Sequence, residues 1–224
     1  MLRRPARAAL IDLDGTLLDT APDLAAAVNA MLAELGRTEL PAQTVAAYVG
    51  KGADVLVHRA LSGALDGRID DAQFSRAKDA FYRHYRRVNG DAAQVYPGIT
   101  VALDAMRARG LKLACVTNKP REFTLALLER ASLTPFFDAV VSGDDATHKK
   151  PHAAPLLEAC RLMAVDIADA VMIGDSENDL LAARAAGCPA ILVEGGYNEG
   201  RPVAELAADA IVPSLAEAVP LLAP

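Results

Sequence analysis

The stretch Ala8-Ala9-Leu10-Ile11-Asp12-Leu13-Asp14-Gly15-Thr16 joins an apolar run to two carboxylates and a glycine. The run through Asp12 has the composition of a buried strand, and Gly15 permits a sharp turn directly after it. Asp12 and Asp14 are two residues apart, so strand geometry would point both side chains to one side. Ligands of open parallel sheets bind beyond the carboxyl ends of the strands, which makes this strand end a candidate site.

Short apolar runs alternate with helical patterns along most of the chain. Further strands are predicted at 111–116, 139–142, 170–173 and 190–193. Apolar residues at helical spacing lie between them, for example at Ile99, Leu103 and Met106. Strand–helix alternation predicts parallel strands joined by right-handed crossovers. We therefore expect an α/β fold with a doubly wound, Rossmann-like parallel sheet.

The segment from residue 19 to residue 90 breaks this alternation. It contains helical patterns and no convincing strand, and Thr20 followed by Asp23 predicts the start of its first helix. Phenylalanines and tyrosines near its end mark a second amphipathic helix, and we expect this aromatic stripe to belong to the core. We predict an α/β core at 1–18 and 91–224, and an inserted all-helical cap at 19–90.

Charge and composition exclude several classes of partner. The formal net charge is −6 and the chain has no long basic run, which argues against nucleic acids and anionic membranes. No apolar stretch approaches the ~20 residues of a membrane span. The basic segment 1–7 leads into a run that Asp12 interrupts, so we expect no signal peptide. Three cysteines without metal-ligand spacing favour a reducing cytoplasm.

Polar residues cluster at the predicted ends of other strands as well. Thr117-Asn118 ends one strand, Lys150 follows another, and Gly174-Asp175-Ser176-Glu177-Asn178-Asp179 ends a third. Together with Asp12 and Asp14, they would bring several carboxylates and one lysine into a single cleft. Carboxylates placed so closely repel each other, and they would also repel a bound phosphate group. The predicted site therefore requires a cation. Oxygen ligands of this kind suit Mg²⁺.

These motifs resemble those of the haloacid dehalogenase superfamily, specifically its phosphatases with a helical cap after the first motif. The DxDGT motif of the family matches residues 12–16, and its strand-end Ser or Thr matches Thr117. Its lysine before proline matches Lys150-Pro151, and its GDxxxD motif matches residues 174–179. Four motifs in the expected order cover nearly the whole chain.

The resemblance implies a role for each catalytic residue. Asp12 is expected to attack phosphorus and form an aspartyl phosphate. Asp14 is expected to protonate the leaving alkoxide and then to activate water. Thr117 and Lys150 would bind the transferring oxygens, and Lys150 would also hold Asp12. Covalent catalysis of this kind divides one hard step into two.

The resemblance also implies a metal site. Mg²⁺ would be held by Asp12, by the backbone carbonyl of Asp14, and by Asp175. Asp179 would act as a ligand through water or as an orienting group. The physical argument agrees, because phosphoryl transfer requires positioning and neutralisation of charge.

Asp14 discriminates among the reactions of the family. Dehalogenases lack this second aspartate, and phosphonate hydrolases replace it and use a cap lysine, for which Lys51 would be the candidate. A sugar phosphomutase would keep every core residue and differ only in the cap. A non-catalytic binding module would have lost at least one motif, and none is lost here. Hydrolysis of a small phosphate ester is therefore the expected reaction.

Within the family, the chain resembles bacterial phosphoglycolate phosphatases. The matching segments are 50–56, 117–120, 149–152 and 195–198. The resemblance implies 2-phosphoglycolate as substrate, with a sugar phosphate or another metabolite as the alternative. The sequence leaves open whether the protein is a monomer or a homodimer.

The cap is expected to select this substrate. Gly50-Lys51-Gly52 and Asn118 are the expected binding residues, with Lys51 on the carboxylate. On the residues alone, a plain turn between helices is the preferred interpretation of Gly50-Lys51-Gly52, and a role for Lys51 in binding is the competing hypothesis.

Overall fold

A computed structural model describes residues 5–222. Residues 1–4 and 223–224 lie outside the described residues, and with them part of the basic N-terminal segment and both ends of the predicted core. Within 5–222, no helix combines the length and the apolar character that crossing a membrane requires. The three cysteines are buried and unpaired, as the sequence predicts.

Six parallel strands form the central sheet. They are β1 (Ala8–Ile11), β4 (Lys112–Val116), β5 (Ala139–Val141), β6 (Ala170–Gly174), β7 (Ala190–Val193) and β8 (Ala210–Val212). Their order is β5-β4-β1-β6-β7-β8, so β1 lies in the interior of the sheet between β4 and β6. The predicted fold class is confirmed. All four residues of β1 are buried, as expected for a strand covered on both faces.

Helices cover both faces of this sheet. They are α5 (Ile99–Ala108), α6 (Arg121–Arg130), α7 (Ala154–Met163), α8 (Glu177–Ala186) and α9 (Leu215–Leu222). Leu103, Leu127 and Leu215 pack from α5, α6 and α9 into one core cluster. Leu156 and Ala182 pack from α7 and α8 into a second cluster on the opposite face. The sheet is thus a buried layer whose strand ends alone remain available for a site.

A helical segment is inserted between two very short strands, β2 (Leu18–Asp19) and β3 (Gln94–Val95), which pair with each other. Its helices are α1 (Ala21–Glu34), α2 (Ala42–Tyr48), α3 (Ala53–Ser62) and α4 (Asp71–Val88). They bury their own cluster, with Val28 and Phe81 among its members, and Phe123 of α6 joins it. This segment is the helical cap; its predicted limits, 19 and 90, stay a prediction.

The first cap helix begins where the sequence predicts, but for a different physical reason. Thr20 is the residue before α1, and its side chain does not cap the helix. Thr20 Oγ1 instead donates a hydrogen bond to Asp14 Oδ1 at 2.6 Å. Asp23 accepts hydrogen bonds from the amides of Gly90 and Ala92, each at 2.7 Å. Asp23 therefore ties the start of the cap to the chain that returns from it.

Candidate active site

Three adjacent strands place polar residues at the carboxyl end of the sheet. Asp12 follows β1, Thr117 follows β4 and Asp175 follows β6, and all three side chains are buried. Their neighbours in the sheet fix this arrangement, because Ile11 of β1 is paired with Cys115 of β4 and Ile173 of β6. The convergence that the sequence predicts at the strand ends is therefore present.

Asp12, Asp175 and Asp179 form a buried acidic cluster. Each offers a carboxylate oxygen, and these oxygens all lie within 4.8 Å of one another. Asp179 lies in the first turn of α8, where its Oδ2 accepts hydrogen bonds from the amide and hydroxyl of Ser176 at 3.1 and 2.7 Å. These two local hydrogen bonds hold the Asp179 carboxylate against the strand ends.

Lys150 is the cation of this cluster. Its Nζ lies 2.9 Å from Asp12 Oδ1 and 2.7 Å from Asp179 Oδ1. It also donates to the carbonyl of Val116 at 2.8 Å. The predicted proximity of Lys150 to Asp12 is present, and this one ammonium contacts two of the three carboxylates.

Burial and mutual repulsion raise the pKa values of two carboxyl groups in the cluster. Burial raises the pKa of Asp12 to about 7, although Lys150 opposes the shift. Burial, followed by the charges of Asp179 and Asp12, raises the pKa of Asp175. Buried carboxylates in this situation are stabilised by a hard divalent cation, which favours their ionised form. The donor set, all oxygen, fits such an ion.

Asp14 lies apart from the acidic cluster. Its Oδ1 accepts hydrogen bonds from Thr20 Oγ1 at 2.6 Å and from Lys119 Nζ at 2.7 Å. Its side chain therefore faces the cap, while Asp12 faces Lys150. The two carboxylates of the DxD motif are thereby held in different surroundings, which suits two different chemical roles.

Sequence reasoning missed Lys119. This lysine is 4% exposed and lies among the residues that line the cavity between core and cap. Burial opposes its charged form, but Asp14 outweighs burial and raises the pKa of Lys119 above its ordinary value. In the sequence, Lys119 lies in the matched segment 117–120, two residues after the strand-end Thr117, but the pattern assigns it no role.

The cavity has two unlike walls. The core wall is Asp12, Asp14, Thr117, Asn118, Lys119 and Pro120. The cap wall is Leu24, Val49, Gly50, Gly52, Ala53, Leu56, Phe81 and Tyr85. Phe81 and Tyr85 are buried in the cap core, as predicted, and they also line the cavity.

Asn118 joins the two walls. Its Nδ2 donates to the carbonyls of Gly50 and Lys150, each at 2.9 Å, and its Oδ1 accepts from the Lys150 amide at 2.8 Å. One side-chain amide thus positions the Gly50 loop against the loop that carries Lys150. The structure places Asn118 and both glycines beside the cavity, where substrate binding was predicted.

Lys51 does not line this cavity. Its Nζ lies 2.7 Å from Glu199 Oε1, and Arg59 Nη2 binds the same oxygen at 2.5 Å. Burial alone would raise the pKa of Glu199, but hydrogen bonds from Lys51 and Arg59 outweigh it and lower the value. Contact between Lys51 and a substrate carboxylate stays a prediction, and this ion pair gives it no support.

Tyr197 is a second residue for which the sequence predicted no role, although it lies in the matched segment 195–198. Its amide donates to Asp175 Oδ2 at 2.7 Å, and its hydroxyl donates to Asp19 Oδ1 at 2.7 Å. The amides of Thr20 and Ala21 donate to the same hydroxyl at 2.7 and 2.9 Å. Tyr197 therefore connects the acidic cluster with the first connection between core and cap.

Two glycines lie directly behind the acidic cluster. A Cβ on Gly174 would overlap the carboxyl group of Asp179, and a Cβ on Gly196 would overlap that of Asp175. Any side chain at either position would displace a carboxylate. The absence of a side chain at these two places is therefore a requirement of the cluster geometry.

Comparison with known proteins agrees with this geometry. The family model of the haloacid dehalogenase-like hydrolases matches residues 9–193. A phosphoglycolate phosphatase of Nitrosospira multiformis is 52% identical over 218 residues, covering 97% of this chain and 96% of the relative. One of Thiobacillus denitrificans is 47% identical over 214 residues, covering 96% and 94%.

A solved structure shows the same architecture over its full length. The crystal structure of a predicted phosphoglycolate phosphatase from Haemophilus somnus superposes with a TM-score of 0.91. It is 30% identical and the match covers 98% of this chain and 99% of that one. The chain belongs to the haloacid dehalogenase-like hydrolase family.

Proposed function

We propose that this hydrolase is a magnesium-dependent phosphatase that cleaves 2-phosphoglycolate through an aspartyl phosphate on Asp12. The observation that carries the proposal is the buried cluster of Asp12, Asp175 and Asp179 around Lys150, beside the separately held Asp14. The names of the relatives support the choice of substrate, since two of them, both phosphoglycolate phosphatases, match nearly the full chain.

Four residues, Asp12, Asp14, Thr117 and Lys150, have separate roles in the proposed reaction. Asp12 attacks phosphorus, and the bond from phosphorus to the glycolate oxygen breaks as the aspartyl phosphate forms. Asp14 gives a proton to the leaving oxygen, and then takes one from the water that attacks the aspartyl phosphate. Lys150 holds Asp12 and, with Thr117, contacts the phosphoryl oxygens. Placement and charge neutralisation supply most of the catalysis in such transfers.

The carboxylates of Asp12 and Asp175 and the backbone carbonyl of Asp14 would hold Mg²⁺, with Asp179 as an outer or orienting group. When bound, the ion supplies neutralisation of phosphoryl charge. Lys150 alone leaves the three carboxylates uncompensated, so the chain by itself provides too little positive charge for a phosphate dianion.

The cysteines bear on where in the cell the enzyme acts. Three buried and unpaired cysteines support the proposal that the enzyme acts in a reducing cytoplasm. A monomer or a homodimer is the assembly that we propose, and size-exclusion chromatography with light scattering measures it directly.

The function is tested by assaying the purified protein against a panel of phosphorylated metabolites, including sugar phosphates. We expect the highest kcat/KM for 2-phosphoglycolate, complete loss of turnover with excess chelator, and recovery on adding Mg²⁺. A higher kcat/KM for a sugar phosphate would replace the proposed substrate. Full turnover in excess chelator, with no metal found in the protein, would contradict the proposed mechanism.

A further inference from the structure

Lys119 is the only lysine or arginine among the residues that line the cavity in the described part of the chain. An ammonium has three donors, and Asp14 accepts one of them at 2.7 Å. Within residues 5–222, Asp14 Oδ1 is the oxygen within hydrogen-bond distance of Lys119 Nζ, and the neighbouring Tyr85 also helps to raise the pKa of Lys119. The cavity therefore contains a buried cation with donors that its own residues do not use.

Tyr85 provides a second and independent observation. Its side chain is 1% exposed and lines the same cavity, yet its hydroxyl has no hydrogen-bond partner among residues 5–222. Lys119 Nζ lies 5.1 Å from the centre of the Tyr85 ring. A buried hydroxyl without a partner is costly, so a hydrogen-bond acceptor bound in this cavity would stabilise it.

The cap helix α3 adds a third element. Gly52 precedes the helix and Ala53 begins it, and both line the cavity. A helix N-terminus carries free amide donors and a partial positive charge, which favour an anion. The N-terminus of α3, Lys119 and Tyr85 thus line the same cavity.

We propose that Lys119 and Tyr85 form the subsite that binds the carboxylate of the substrate. This inference rests on the proposed function, because it concerns the part of the same cavity that holds the group attached to the phosphate. Two catalytic carboxylates, Asp12 and Asp14, line this cavity and repel an anionic group. The positive charge of Lys119, which is paired with Asp14, offsets this repulsion. Lys51 forms an ion pair with Glu199 instead.

The geometry also explains why the subsite selects a short substrate. Lys119 Nζ is 2.7 Å from Asp14, the residue that protonates the leaving oxygen in the proposed mechanism. A carboxylate bound by Lys119 therefore lies close to the leaving oxygen. A single carbon separates these groups in 2-phosphoglycolate, and a sugar phosphate offers only neutral hydroxyls there.

The test compares two esters that differ in one group, 2-phosphoglycolate and 2-hydroxyethyl phosphate. Lys119→Met is expected to lower kcat/KM for 2-phosphoglycolate about 10- to 100-fold more than for the neutral ester, as expected for loss of a charge-assisted contact. The ratio is the decisive quantity, because displacement of Asp14 alone would lower both values equally. An unchanged ratio would overturn the proposal.

Tyr85→Phe is the second variant, and it keeps the proposal testable if Lys119→Met does not fold. It is expected to lower the same ratio about tenfold, mainly through KM, because only one hydrogen bond is removed. Tyr82→Phe is the matched control on the same helix, and Lys78→Met is the matched lysine control in the cap. Neither residue lines the cavity, so both variants are expected to keep the wild-type ratio.

A binding measurement separates failure of the subsite from failure of the proposed function. If the wild-type protein hydrolyses neither ester, the phosphatase proposal is wrong, and calorimetric titration of 2-phosphoglycolate tests the subsite alone. Binding weakened about tenfold or more by Lys119→Met would support the subsite. Equal binding to the wild type and to Lys119→Met would overturn it.

Discussion

The core wall and the cap wall of the cavity differ in the polarity of their side chains. On the core side, Asp12, Asp14 and Lys119 are ionisable, and each contacts a group of opposite charge: Lys119 pairs with Asp14, and Lys150 behind the wall pairs with Asp12. On the cap side, the lining is apolar apart from backbone groups and the hydroxyl of Tyr85. The carboxylates of the core wall therefore suit the phosphoryl chemistry that all phosphate esters share, and the cap wall together with Lys119 suits the group in which they differ.

The same contrast appears in how the two walls are built. The core carboxylates follow buried parallel strands whose neighbours fix their register. The cap loop from Gly50 to Gly52 is held to the core through side-chain contacts, chiefly those of Asn118 and of Glu199. Chemistry is thus placed on the strand ends of the core, and selectivity is shared between Lys119 of the core wall and the cap wall. Four substitutions test this division, in decreasing order of expected effect.

Asp12→Asn is expected to have the largest effect, a loss of kcat of at least ~10³-fold on every ester. An amide is a poor nucleophile towards phosphorus and a weaker ligand for Mg²⁺. Steady-state assays on 2-phosphoglycolate and on a neutral ester measure the loss, with circular dichroism as the control for folding. Wild-type kcat in a folded Asp12→Asn protein would show that the covalent mechanism is wrong.

Asp14→Asn is expected to lower kcat by ~10²–10⁴-fold, the usual range for removal of a general acid and base. The asparagine can still accept hydrogen bonds from Thr20 and Lys119, so the contacts of Asp14 are largely kept. The loss should shrink for an ester with an acidic leaving group, such as a nitrophenyl phosphate, which needs no protonation. An equal loss on both types of ester would remove Asp14 from the role of general acid.

Asp175→Asn tests whether the metal belongs to the core wall. Mg²⁺ at 100 times its Kd is expected to raise the free energy of unfolding of the wild-type protein by ~2.7 kcal/mol. The variant should show much less of this increase, because one carboxylate of the cluster is gone. Urea unfolding with and without Mg²⁺ provides the measurement. Equal stabilisation of both proteins would place the ion elsewhere.

Glu199→Gln tests the connection between the walls and is expected to have the smallest effect on turnover. It leaves the buried Arg59 without its charged partner, so the free energy of unfolding should fall by about 1–3 kcal/mol at neutral pH. Arg59→Lys, which keeps the charge but loses the fork of donors, is the matched variant on the other side.

The pH dependence of this loss has a definite sign. The lowered pKa of Glu199 means that its contribution is present above the ordinary glutamate pKa of 4.5 and is lost as the pH falls through the lowered value. The difference in stability between wild type and Glu199→Gln should therefore shrink below pH 4.5. A difference that stays constant into acid would contradict the ion pair.

Much of the core could be predicted from the sequence because its signals are local. Five strands show as apolar runs, whereas β8 and the pair β2–β3, with three and two residues per strand, are too short to stand out. Asp12 and Asp175 directly follow buried strands, so their convergence follows from parallel topology alone.

The cap side could not be predicted in the same way. Lys51 and Lys119 both lie beside residues that line the cavity, and nothing local distinguishes them. The partner of each decides its place: Lys51 contacts Glu199, and Lys119 contacts Asp14, 105 positions away along the chain. Such pairings depend on how cap and core pack, and a residue pattern read along one segment does not contain them.

Gly174 and Gly196, which lie against the acidic cluster, affect how sequence variation in this protein is interpreted. Neither carries a reactive atom, yet any side chain there would meet the carboxyl group of Asp179 or Asp175. A saturation scan scored on activity would therefore rank these glycines with the reacting residues. Substitution at Gly174 or Gly196 would also be hard to compensate by a change elsewhere, because room for a Cβ requires the backbone or the carboxylate to move.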